Sequence, residues 1–452
     1  MSDSFARPRR WLPVAVLAIA VLGIRGWMSR AAPEPVRAAS SSATSGLVSC
    51  PASVRGLGDI AFVSLGRLEL VDLARCSVSV LRARGADEAR FSPDGRWIGF
   101  GGLVDGSPAG LEVISVHGGR ARMPLGRGVL AWTWSRRGAL LYGITPDGSL
   151  VSATPDGPRR VVAAHVVPIS FDYYGEPLPL SPGGRLAAVN RSVCQTSIGE
   201  LDTVDLRTGA RTVAIRRPGE FFTLAGFSPD GRWLLYWAAT ICSASLAADG
   251  WPLYAVPASG GAAVKVVGHM LLYDDFLSWC GTRLIAAAGP DRQTNQGSRL
   301  ISTAPPDWHA RTLARPGKLS WVSPACAPSG QALAAAAGPS SARAEFGIQH
   351  RSIWLLRAGS GARVRQLSLA PAGDLSDEAP RFSRDGRWVM FVRSRVVPNG
   401  SRDTLELVRV GGSAAVPILD FSSGDFSYYD HFDWPSEIDW YRQAGEARRL
   451  QH

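Results

Sequence analysis

From residue 57 onward, short apolar runs alternate with turn-forming residues, and the alternation itself repeats. In "FSPDGRWIGF" (Phe91 to Phe100) and "FSPDGRWLLYW" (Phe227 to Trp237), an apolar strand stops at Ser-Pro-Asp-Gly and restarts as a half-buried one. Proline presets φ, aspartate caps the turn and glycine takes positive φ, so each copy predicts a hairpin. A third copy, "FSRDGRW", begins at Phe382. Weaker copies start at Trp134 ("WSRRGALL"), Leu180 ("LSPGGRLA"), Leu277 ("LSWCGTRLI") and Cys326 ("CAPSGQALA"). The aspartates of this motif, Asp94, Asp230 and Asp385, therefore read as turn residues rather than catalytic ones.

Measured at the serine or its equivalent, the anchors fall at 92, 135, 181, 228, 278, 327 and 383. The spacing, about 43 to 56 residues, is the length of one four-stranded propeller blade. A second hairpin pattern, exemplified by "LDTVDLRTGARTVAI" and "IWLLRAGSGARVRQL", occurs eight times. Its first copy, near Leu68, has no anchor before it. Its eighth, ending near Leu419, is followed by "FDWPSEIDWY", which can supply the inner strand that the first blade lacks. The expectation is an all-β chain forming one closed β-propeller of eight blades, with seven as the alternative. Its ring is closed by strands from the two chain ends, which removes open edges.

The expected organisation is a signal peptide or signal-anchor helix over 1–28, a Pro/Ala/Ser-rich spacer over 29–56, the propeller over 57–442 and a tail over 443–452. Arg7, Arg9 and Arg10 precede an apolar run from Trp11 to Ile24, the pattern of an export signal. Cleavage and retention as a membrane anchor through residues 11–27 both stay open. Either places the body outside the cytoplasm, in the periplasm or at the cell surface.

The 452-residue chain has 46% hydrophobic and 19% charged residues, a globular composition. Its net charge is +11, and its only lysines are Lys265 and Lys318. No basic run interrupts the body, so nucleic acid is not an expected partner.

The six cysteines permit fifteen pairings. The repeat register puts Cys194 and Cys242 in equivalent loops of adjacent blades, and Cys280 and Cys326 near adjacent anchor turns. Cys50, on the entering arm, is left with Cys76. The expected disulfides are Cys50–Cys76, Cys194–Cys242 and Cys280–Cys326, as suits an exported chain.

"FSPDGRW…F", preceded by "DEA" at Asp87 to Ala89 and at Asp377 to Ala379, resembles the repeat of TolB-like β-propellers. The same repeat occurs in the propellers of prolyl-oligopeptidase relatives. The resemblance covers residues 57–442 and implies the fold and an extracytoplasmic binding role.

Catalytic signatures are sparse: no GxSxG elbow, no HxxxH or HxH pair and no phosphate loop occurs. No catalytic residue, metal ligand or cofactor is assigned. Acids instead gather in the connections that lead from one blade to the next, among them Asp87, Glu88, Glu220, Asp377 and Glu378. Three such connections add aromatic residues. They are Asp172, Tyr173, Tyr174 and Glu176; Tyr273, Asp274 and Asp275; and Tyr428, Tyr429, Asp430, His431, Asp433 and Trp434. An acidic rim with aromatic walls suits a cationic or saccharide ligand. Acids at these places can equally cap the next blade. The expected function is a monomeric, non-catalytic binding or scaffold propeller docking an envelope protein or a small ligand. A propeller lyase or hydrolase acting on a saccharide or small molecule at the channel mouth is the alternative.

Overall fold

The computed structural model describes residues 46–441 except 102, 105–106, 109, 169–176, 193–197, 242–248, 290–296, 316, 341–349, 370–374, 398–399, 413 and 424–430. Eight antiparallel sheets follow one another along the chain and form an eight-bladed ring. Blade 5 shows the complete unit: Phe221–Phe227, Trp233–Ala239, Trp251–Pro257 and Val264–Met270 pair in order from the inner to the outer strand. Two blades are slimmer. In blade 2, Arg122 bridges Val113 where an outer strand would run; in blade 4, Leu180 bridges Ala187 in place of an inner strand.

The predicted turn forms with the same bonds in each full copy. Ser228 Oγ donates to Asp230 Oδ1 at 2.6 Å, and Arg232 Nε donates to Asp230 Oδ2 at 2.9 Å. The Trp233 amide then donates to Ser228 Oγ at 3.0 Å. Ser92, Asp94, Arg96 and Trp97 repeat this arrangement, as do Ser383, Asp385, Arg387 and Trp388. Gly231 sits at φ +71°, a conformation that side chains bearing a Cβ resist. Hydrogen bonds from Ser228 and Arg232 hold the Asp230 carboxyl below the usual range, against partial burial. In blade 6 the turn moves: Ser278 lies within the strand Leu277–Cys280, and the chain reverses at Gly281 and Thr282.

Closure joins distant parts of the chain. Ile438–Tyr441 is the inner strand of blade 1 and pairs antiparallel with Asp59–Phe62. The indole of Trp440 donates to the Leu57 carbonyl at 2.7 Å. Residues 46–56, within the stretch read as spacer, also join the ring. Gly46 and Leu47 pair with Asp420 and Leu419 as a fifth strand on blade 8. Cys50 is then bonded to Cys76, at the turn between the last two strands of blade 1. The arm therefore covers the outer edge of blade 8 and is fixed to blade 1.

Cys280–Cys326 links the inner strands of blades 6 and 7, with Cα atoms 5.3 Å apart. Cys194 and Cys242 lie outside the described residues, as do residues 11–27. Among the described residues no helix is long and apolar enough to cross a membrane.

Cys50→Ser with Cys76→Ser should lower unfolding stability by about 2–4 kcal/mol, the usual effect of freeing such a loop. Denaturant titration without reductant measures this; an unchanged midpoint would show that the arm adds nothing to closure.

Candidate functional site

Propeller connections leave the ring on two sides. The loop face carries the links from second to third strand and from each outer strand to the next blade. The turn face carries the remaining, shorter turns. The described candidates Tyr273, Asp274, Asp275, His431, Asp433 and Trp434 belong to loop-face connections.

Three of them meet at the ring axis. Tyr273 and the short 3-10 turn Asp274–Phe276 lead into blade 6, and His431 leads into blade 1. Blades 7 and 8 separate these connections, so they touch only by reaching across the channel. The His431 ring lies 4.0 Å from the Tyr273 ring and 5.0 Å from that of Phe276, between centroids. Its Nε2 lies 3.0 Å from Asp275 Oδ1. Ser323, on the inner strand of blade 7, donates to Asp275 Oδ2 at 2.7 Å.

Blades 8, 1 and 2 complete the cluster. Arg381, on the inner strand of blade 8, donates to the carbonyls of Ile438 and Pro435 at 2.8 and 3.2 Å. It also lies 4.0 Å from Asp439. Asp439 accepts the amide of Phe91 at 2.7 Å, and Arg90 reaches the Ser436 carbonyl at 3.0 Å. Burial alone would raise the Asp275 carboxyl; His431, Ser323 and the Arg381 charge outweigh it and hold it below the usual range. Asp275 is therefore an ionised acid enclosed by its own partners.

The other described candidates also have neighbours within the fold. His431 is only 5% exposed, and Trp434 is buried between Phe432 and Phe421 at ring distances of 5.1 and 5.8 Å. These two residues fill the interior rather than an open rim. Asp274 is exposed and Asp433 half-buried, each with a partner of its own. Asp172, Tyr173, Tyr174, Glu176, Tyr428, Tyr429 and Asp430 lie outside the described residues.

The repeated loop acids have partners within the fold, and Glu88 and Glu378 reach a neighbouring blade. Glu88 accepts the indole N–H of Trp132 in blade 3. Asp377 takes a two-pronged contact from Arg393, at 2.7 and 3.0 Å, and Glu378 accepts from Arg351 at 3.1 Å. Glu220 pairs with Arg217 at 3.5 Å. Each of these contacts is to a tryptophan or arginine side chain rather than to a backbone amide. Sequence reasoning missed Ser323, Arg381 and Asp439, because each lies on an inner strand and is distinguished only by its position at the axis. Among the described residues, no three His, Cys, Asp or Glu side chains gather as a metal site would require.

No family model and no curated protein matches this chain. Its fold is similar to that of several solved structures. TolB from Acinetobacter baumannii is 13% identical over 82% of this chain and 65% of that one, with a TM-score of 0.38. An oligogalacturonate lyase in complex with manganese is 15% identical over 80% and 95%, with a TM-score of 0.45. Prolyl oligopeptidase B from Galerina marginata is 11% identical over 75% and 51%, with a TM-score of 0.46. At these identities the likeness carries no functional argument. The sheet order itself defines the class: an eight-bladed β-propeller.

Asp275→Asn should destabilise the ring at neutral pH by on the order of 3 kcal/mol, the effect of breaking a buried charge pair. Because the folded carboxyl titrates below its unfolded value, this advantage of the native chain is full above the ordinary carboxylate range and vanishes as pH falls through the depressed value. Urea midpoints of both chains between pH 3 and 8 test it; a constant difference across that range would contradict the assignment.

Proposed function

We propose that this chain is a non-catalytic, extracytoplasmic binding propeller that docks a protein partner of the cell envelope on its loop face. The two most exposed large apolar side chains among the described residues carry the reading. Ile241 and Leu369 are 75% and 74% exposed, and Leu65 is 53% exposed. All three stand on the loop face. Ile241 follows the second strand of blade 5, Leu369 follows the outer strand of blade 7, and Leu65 lies between the second and third strands of blade 1. Large exposed apolar side chains of this kind mark contact surfaces.

The turn face is built differently. Among the described residues it carries no exposed large apolar side chain, and ion pairs such as Asp94–Arg96, Asp205–Arg185 and Asp385–Arg387 stud it. Charged pairs of that kind are well hydrated and favour solvent over association. At the axis, the groups with chemical potential are bound to one another, which favours docking over catalysis at the channel mouth. The disulfides Cys50–Cys76 and Cys280–Cys326, together with the export pattern before residue 28, support an oxidising compartment.

A photo-crosslinking residue placed at Ile241 or Leu369 in the native host should give one discrete adduct. The same residue at Thr208 or Gln331, exposed on the turn face, should give none. Adducts from the turn face alone, or none from the loop face, would overturn this reading.

A further inference from the structure

A cavity lies away from the axis, between the outer strand of blade 5 and the adjoining face of blade 6. It measures about 550 Å³, within the range of pockets that enclose small molecules. Its origin is a pair of irregularities in Val264–Met270. Against Trp251–Pro257, this strand shifts register between Trp251 and Leu253 and again between Leu253 and Tyr254. Bulges this close together bend a strand and increase its twist, which parts the outer strand from the next blade. His269 spans the gap: its Nδ1 donates to the Gly289 carbonyl of blade 6 at 2.8 Å.

The lining divides cleanly by chemistry. Val266, Ala288 and Ile301 form a buried apolar floor. Arg299 and Arg311 stand exposed at the rim, beside His269. Arg311 also bonds the Gly359 carbonyl of blade 7, which limits the freedom of its guanidinium. Among the described residues, no aspartate or glutamate lines the cleft. Elsewhere on this chain arginines are commonly matched by acids, as in Arg211–Asp202 and Arg216–Glu200 on the outer strand of blade 4.

We propose that this cleft binds an amphipathic organic anion: an aliphatic chain ending in a carboxylate or a phosphate monoester. The chain would cover Val266, Ala288 and Ile301, where it loses contact with water. The head would lie at Arg299 and Arg311, whose planar guanidinium groups match both anions with paired, charge-assisted hydrogen bonds. The cleft shares no residue with Ile241, Leu369 or Leu65, so either proposal can fail without the other.

Calorimetric titration of the full chain tests this with decanoate and decyl phosphate, against inorganic phosphate and decyltrimethylammonium. At least one of the two anionic amphiphiles should bind saturably at one per chain. Inorganic phosphate, lacking the tail, and decyltrimethylammonium, carrying the opposite charge, should each bind at least about tenfold more weakly, the effect of losing two buried methylenes or one charge-assisted hydrogen bond. Arg299→Gln should weaken the bound anion by about tenfold on the same scale, whereas Arg299→Lys, which keeps the charge but not the planar fork, should weaken it less. Ala310→Trp, an exposed substitution at the mouth, should block entry while leaving the thermal midpoint unchanged. The proposal is overturned if neither anion binds saturably, if the cationic amphiphile binds equally well, or if Arg299→Gln and Ala310→Trp both bind like the native chain.

Discussion

The structure depends on one pairing, that of Ile438–Tyr441 with Asp59–Phe62. A propeller blade is a small sheet whose faces are apolar, and it is stable only when both faces are covered by neighbours. In an open array the terminal blades would each leave one face bare. Placing the last described strand inside the first blade turns the array into a ring. The amino-terminal arm reinforces this from the opposite end, adding Gly46–Leu47 to blade 8 and bonding Cys50 to Cys76. Three independent devices thus act at one seam: a strand pair, an edge strand and a disulfide.

Closure also creates the two faces and the axis. Once the ring is complete, the connections to blades 6 and 1 face each other across the channel. Asp275 and His431 then meet although they lie far apart in sequence. The inner strands of blades 7, 8 and 1 supply Ser323, Arg381 and Asp439 around them. A buried charge is tolerated only with such partners. The axis is thereby a polar brace between blades.

The fold was legible in the sequence because its unit is local. The Ser-Pro-Asp-Gly turn needs its own residues and little else, so Phe91 to Trp97 and Phe227 to Trp233 announce themselves and act as a ruler. That ruler gave the eight blades, the closing strand and the two described disulfide pairs. The site was less legible. Its members are brought together by ring geometry rather than by spacing, and nothing in the letters around Ser323 or Arg381 marks them as axial. Trp434 read as a rim aromatic, yet it packs on Phe421 and Phe432 inside the core. Gly46–Leu47 was hidden because two residues in a Ser/Ala-rich stretch show no alternation. The cleft beside blade 5 rests on bulges, which change register without changing the apolar pattern.

The central claim is that the two chain ends form one blade. Native-state hydrogen exchange on the full chain measures it most directly. If the seam is as stable as the ring it closes, the amides of Ile438–Tyr441 and Asp59–Ser64 will exchange as slowly as those of Trp233–Ala239 in blade 5, through the same global opening. Rapid exchange at 438–441 while blade 5 stays protected would show an open array and contradict the closed ring.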